Sequence, residues 1–192
     1  MIRRSPWLLF ILSIVVCMQL SSTLIDFQFN TYLGSLFPDK DLRTEHYGQV
    51  LTIVNVCTIL LQLFGTYFLL QFLGLKKSHL FVPLLLGANA IGVFFAPSFV
   101  MVSSIFVMIK SFDFSLFRMI TEMLYIPLPT EEKFYAKSFI DVFASRSSKA
   151  LASFLIIGLQ YFDNHKVMLV SICGLLIFFI WGYRASRAKI IA

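Results

Sequence analysis

The sequence predicts an all-α integral membrane protein of six transmembrane helices. Three observations lead there. Of its 192 residues 58% are hydrophobic and only 14% are charged, with a mean hydropathy of +0.84. Soluble domains carry about 25% charged residues, so this chain lacks the polar surface to coat a water-soluble globule. The apolar residues fall into runs of bilayer-spanning length, separated by short polar connections. The 22 phenylalanines, cheap to face toward lipid and costly to face toward water, point the same way.

A helix needs about 20 mainly apolar residues to cross a bilayer. On that criterion the spans are 7–33, 48–73, 80–96, 99–125, 137–160 and 167–183. The connections 34–47, 74–79, 97–98, 126–136 and 161–166 leave no room for a soluble domain, so residues 1–192 form a single membrane domain. Arg3-Arg4 ahead of an apolar core resembles the start of a signal peptide, but the run passes Leu20 without a small-residue cleavage site. An uncleaved first helix is expected.

Positive charge sets the expected orientation. Arg3, Arg4, Lys76, Lys77, Lys133, Lys137, Arg184, Arg187 and Lys189 fall on the side of both termini; Lys40, Arg43 and Lys166 fall opposite. The positive-inside rule then places both termini in the cytoplasm, as in a bacterial inner membrane. Trp7 and the 181–183 segment are expected to anchor at that interface as amphipathic aromatics. The net charge of +6 is thus a topology signal and not the footprint of nucleic acid, and no nucleic-acid partner is expected.

Eight charges remain inside the spans: Lys110, Arg118, Arg146 and Lys149 against Asp26, Asp113, Glu122 and Asp141. An ionised group at helix centre costs about 2.5–3.5 kcal/mol on insertion scales, so these must face one another, a partner or a water-filled cavity. In the fourth span Lys110, Asp113, Phe114, Phe117, Arg118 and Thr121 keep the three-and-four rhythm of one helical face, and Arg118–Glu122 is an i to i+4 pair. In the fifth, Asp141, Ser145, Ser148 and Lys149 share a face, with Arg146 to one side. These two helices are expected to pack together with their charged faces inward. One reading is a polar path for an anion; the other is a set of salt bridges locking helices together. Asp113, Arg118, Glu122 and Asp141 fit either, as a coupling or structural network.

Familiar catalytic motifs are missing: there is no G-x-x-x-x-G-K-[ST], H-E-x-x-H, G-x-S-x-G or CxxC. His46, His79 and His165 sit in loops, apart from one another. Cys17, Cys57 and Cys173 fall inside apolar runs and read as small buried hydrophobes. No enzyme, metal site or cofactor is expected.

The stretch 115–153 reads SLFRMITEMLYIPLPTEEKFYAKSFIDVFASRSSKALAS. Within it stand E-M-L-Y-I-P-L from Glu122, the acidic-basic Glu131-Glu132-Lys133, K-S-F-I-D-V from Lys137, and S-R-S-S-K from Ser145. Upstream are Leu24-Ile25-Asp26-Phe27-Gln28-Phe29, Leu61-Gln62-Leu63-Phe64 and the turn Gly74-Leu75-Lys76-Lys77. Together these resemble the C-terminal six-helix half of the nucleotide (ATP/ADP) translocase family, a branch of the major facilitator superfamily. The chain departs from that family at Thr121, Asn30, Ser147, Ser148, Ala150 and Ser153, where the family favours basic residues or glycines; these departures bear on substrate more than on fold.

The resemblance implies a half-size carrier of an anionic solute such as ATP or ADP, working by alternating access or antiport against a second six-helix half from the same or a different chain. It implies Lys110, Arg146, Lys149 and Asp26 as substrate-binding residues. The alternative is a non-transporting accessory subunit or a truncated carrier remnant.

Overall fold

The computed structural model describes residues 6–65, 67, 71, 87, 91–92, 98–160 and 166–187. Most of them fall in five helices: α1 (Pro6–Leu36), α2 (Lys40–Gly65), α3 (Phe99–Leu124), α4 (Thr130–Gln160) and α5 (Lys166–Arg187); residues 67, 71, 87, 91 and 92 are also helical. By length and composition, four of them, α1 to α4, can cross a membrane. The apolar stretch of α5, Ile172–Tyr183, is shorter. The described residues thus bear out an all-α membrane protein. The expected third span lies outside them apart from residues 87, 91 and 92.

The helix ends follow local chemistry more closely than hydropathy. Pro6 opens α1, where a missing N–H is no loss. At its other end the Phe37 N–H still reaches the Leu33 carbonyl, and Pro38 then stops the helix. Asp39 caps α2 at once, its Oδ1 accepting from the backbone N–H groups of Asp41 (2.8 Å) and Leu42 (3.5 Å). The connection expected over 34–47 is therefore mostly helix. Ser98 caps α3 by accepting from the Met101 N–H at 3.2 Å. Pro127 and Pro129 break the chain after Leu124, and α4 starts at Thr130 rather than 137, with Glu131 and Glu132 at the positive end of its dipole.

Inside the apolar segments, polar side chains turn back onto their own helix. Thr23 donates to the Gln19 carbonyl, Asn30 to Asp26 and Thr31 to Phe27, each at 2.8 Å. Lipid offers no partner for a free hydroxyl or amide, so self-satisfaction of this kind is required there.

α1 is the central element. It packs against α3, α4 and α5, while α2 lies on the outer side of α3. Buried residues run along nearly the whole of α1, including Leu8, Ile11, Ile14, Met18, Leu24, Phe29 and Leu33, as expected of a helix apolar all round. Against it α4 presents Ala144, Ser148, Ala152 and Ile156, all buried at four-residue spacing. Small residues in that rhythm let two backbones approach closely, the principal source of helix affinity in lipid.

The two charged helices turn their charged faces inward toward one cavity, as expected, but they do not pack directly on each other: each packs on α1, and Lys137–Glu122 and Tyr125–Asp141 link them near their connecting turn. The wedge is α1 itself, whose apolar circumference satisfies both neighbours better than two charged faces satisfy each other. A cleft opens between α3 and α4 as a result.

At one end of the bundle the Phe29 ring lies 4.2 Å from that of Phe106, with Tyr47 and Phe99 around them. At the other end the Trp7 indole N–H donates to the Leu124 carbonyl at 3.0 Å, meeting an acceptor left open by the end of α3. Trp181, expected as an interfacial anchor, is 1% exposed and packs edge-on against Phe117 at 6.0 Å; only Tyr183 of that segment is exposed. The aromatic-belt rule reads depth along a helix, whereas burial depends on which face the residue occupies.

Phe29→Ala should lower the thermal unfolding midpoint of the detergent-solubilised protein, whereas Phe154→Ala, at a position 71% exposed, should leave it nearly unchanged. The ceiling is the roughly 3–5 kcal/mol of a buried Phe truncation, because the packing loss persists in lipid while the water-transfer part does not. Equal midpoints for the two variants would contradict the packing described.

Candidate functional site: a charged cleft between α3 and α4

The cleft encloses ≈ 260 Å³. Its floor is α1, through Val15 and Gln19. One wall is α3, with Asp113, Phe114, Phe117, Arg118, Thr121 and Glu122; the other is α4, with Asp141, Ser145 and Lys149. In both walls the backbone loosens to a π-helical turn, at Asp113–Phe117 and Ser138–Ala144. Such turns are rare and frequently occur at functional sites. Asp113 opens the first and Asp141 lies within the second.

Two ion pairs frame the cleft. Deep in the bundle the Lys110 ammonium meets Asp26 Oδ2 at 2.7 Å and donates to Ser22 Oγ at 2.9 Å, with the Phe106 ring centroid 5.8 Å away. This pair joins α3 to α1. Near the α3–α4 turn, Lys137 meets Glu122 at 2.6 Å. The expected Arg118–Glu122 pair is absent among the described residues, because Lys137 reaches across the turn and takes Glu122 instead. Beside it the Tyr125 hydroxyl donates to Asp141 Oδ1 at 3.2 Å.

What remains is the interior of the cleft. Gln19 Nε2 donates to Asp113 Oδ1 at a long 3.4 Å. Lys110, Lys149 and Arg118 all act electrostatically on Asp113, and Lys149 also on Asp26. Among the described residues neither Arg118 nor Lys149 forms an ion pair. The cleft therefore holds two cations whose charge is only loosely answered by Asp113 and Asp141.

The residues expected from sequence divide accordingly. Lys149 joins Asp113, Arg118, Glu122 and Asp141 around one cavity. Lys110 and Asp26, expected to touch substrate, bind each other beside it. Arg146 is exposed and outside the cavity lining. Gln19, Thr121 and Ser145 were not singled out as site residues; Gln19 carries no charge and sits in an apolar run, so only the position of α1 reveals it. No group of acidic, histidine or cysteine residues suited to a metal occurs among the described residues.

Four helices long and apolar enough to cross a membrane, with a charged cleft among them, make this a multi-pass membrane protein. The model of the TLC ATP/ADP transporter family matches residues 1–106 and 97–188, and the chain belongs to that family. Its kind of function is therefore nucleotide transport. No curated protein and no solved structure matches the chain.

Lys110→Met should strand Asp26 and lower both membrane yield and unfolding midpoint, while Lys110→Met combined with Asp26→Leu should restore most of both. The single loss should stay below the roughly 3–5 kcal/mol of a fully buried pair, since the Asp26 side chain is 38% open. Single and double variants equally impaired would rule out this pair as the α1–α3 fastening.

Proposed function

We propose that this chain carries an anionic nucleotide such as ATP or ADP across the membrane, with Arg118 and Lys149 meeting its phosphates. One observation carries the reading: two cations face the same cleft, in helices long enough to span a membrane, without ion-pair partners among the described residues. A charge in such a segment is expensive, so one kept there without a partner points to function. A purely structural protein has use for Lys110–Asp26 and Lys137–Glu122, but none for Arg118 and Lys149 left open, which weighs against an accessory subunit or remnant. Arg's planar fork suits paired phosphate oxygens, and the Lys ammonium supplies a mobile point charge.

In this reading the bundle is one half of a major-facilitator-type carrier. A second six-helix half, from the same or a different chain, covers the cleft, and the two rock about a shared site in alternating access or exchange. Pockets that bury a drug-sized ligand hold about 300–1,000 Å³; ≈ 260 Å³ on this side suits part of a nucleotide, leaving the rest to the other half. Arg146, exposed beside the cleft, is placed to meet that half or the substrate's outer end. Both termini lie in the cytoplasm, on the Lys and Arg asymmetry.

Lys149→Met should reach the membrane at normal abundance yet lose uptake of labelled nucleotide into vesicles holding the complete carrier, and Lys149→Arg should keep part of it. Undiminished uptake would remove Lys149 from the site. For orientation, reporters fused after Arg187 and within residues 39–45 should label opposite faces; both on one face would overturn the topology.

A further inference from the structure

A second concavity lies away from the charged cleft, on the lipid-facing side of α4. It is a groove of ≈ 570 Å³ between the start of α1, at Leu8, and the first half of α4, where Tyr135, Phe139, Val142 and Phe143 line it. Its surface is almost wholly apolar, and its single charged lining residue is Glu132 at one end.

Depth and length identify what such a groove can hold. α4 runs 31 residues, about 46 Å at the rise of an α-helix, against a hydrocarbon core of about 30 Å. The surplus falls at its first turns, where Thr130–Lys137 reads TEEKFYAK and is the polar part of the helix. Phe134 and Tyr135 there are 66% and 75% exposed, as in the aromatic belt of a bilayer interface. Glu132 thus sits at headgroup level. Phe143 stands eleven residues further on, about 16 Å toward the membrane centre. A carboxylate at headgroup depth that leads into an apolar channel of that length matches one amphiphile, a phospholipid lying along the helix.

The charge selects the headgroup. Glu131 and Glu132 outweigh the adjacent Lys133, Lys137 is taken by Glu122, and Glu132 is the charged group that lines the groove, so an anionic head such as phosphatidylglycerol is disfavoured there. A primary ammonium can both pair with the carboxylate and donate hydrogen bonds to it, whereas the quaternary ammonium of choline has no N–H to donate. We infer that the groove between Leu8 and Phe143 binds a phospholipid with a primary-amine headgroup, phosphatidylethanolamine, its ammonium on Glu132 and one acyl chain along Phe139 and Phe143. This site is independent of the transport reading.

The test is native mass spectrometry of the full-length protein, released from detergent with equimolar phosphatidylethanolamine, phosphatidylcholine and phosphatidylglycerol of identical chains. The ethanolamine lipid should be retained over the other two by about two- to five-fold, the weight of an exposed ion pair. Glu132→Gln should abolish that preference while leaving chain-dependent binding. Val142→Trp, which fills the groove without touching the carboxylate, should reduce adducts of all three lipids, with helix content by circular dichroism confirming that both variants fold. Equal retention of the three lipids by the unsubstituted protein would overturn the inference, as would a preference that survives Glu132→Gln. Dimers that exclude lipid and dissociate in Val142→Trp would overturn it too, by showing that the groove seats a second copy of the chain.

Discussion

A charge in hydrocarbon must be answered, and in this chain the answer that organises the rest is Lys110 on Asp26. The 2.7 Å contact ties α3 to α1 far from either helix end, and Ser22 takes a second ammonium hydrogen. With α3 held on one flank of α1, the Ala144–Ser148–Ala152 stripe brings α4 against another. Neither wall can then close on the other, because the bulk of α1 separates them. The cleft follows from two fastenings made to a common post.

The same arrangement explains why so few of the acids and bases pair directly. Lys137 holds Glu122 at the turn, where the walls converge, and Lys110 holds Asp26 at depth. Between these points the walls stand apart, so Asp113 and Arg118 on the α3 wall and Asp141 and Lys149 on the α4 wall share a field without a direct ion pair among the described residues. The π-helical turns at Asp113–Phe117 and Ser138–Ala144 bear on this directly. Each adds a residue to one turn of the helix and resets which side chains face the cavity.

Much of this was legible in the sequence, and the remainder was hidden for identifiable reasons. Hydropathy locates the membrane segments but ends them where polarity begins, so it missed that Asp39 caps a helix reaching well past the apolar run. Helical periodicity put Asp113, Arg118 and Thr121 on one stripe, and the structure keeps them together on one wall. It also placed Lys110 on that stripe, yet Lys110 turns to Asp26 because α1 lies within its reach. A one-dimensional reading weighs two charged helices as mutual partners; only packing shows that an apolar third helix intervenes. Gln19 and the burial of Trp181 depend on the same fact, and no local pattern around either residue encodes it.

The balance of charge in the cleft has a consequence for turnover. Once Lys137 has taken Glu122, the lining carries Arg118 and Lys149 against Asp113 and Asp141, a neutral set. A cavity with two unanswered cations would bind a phosphate tightly and release it slowly, since every solute that left would expose both charges to a low dielectric. With carboxylates standing close by, the empty cavity keeps internal counter-ions, and an arriving phosphate competes with them rather than filling a vacuum of charge. Affinity falls, but so does the barrier to release and to rearrangement of the empty site. Conduction through a membrane protein needs binding favourable enough to admit a solute and weak enough to let it go. A mixed lining meets both demands, and it does so only because α1 holds the two walls too far apart for their charges to neutralise each other outright.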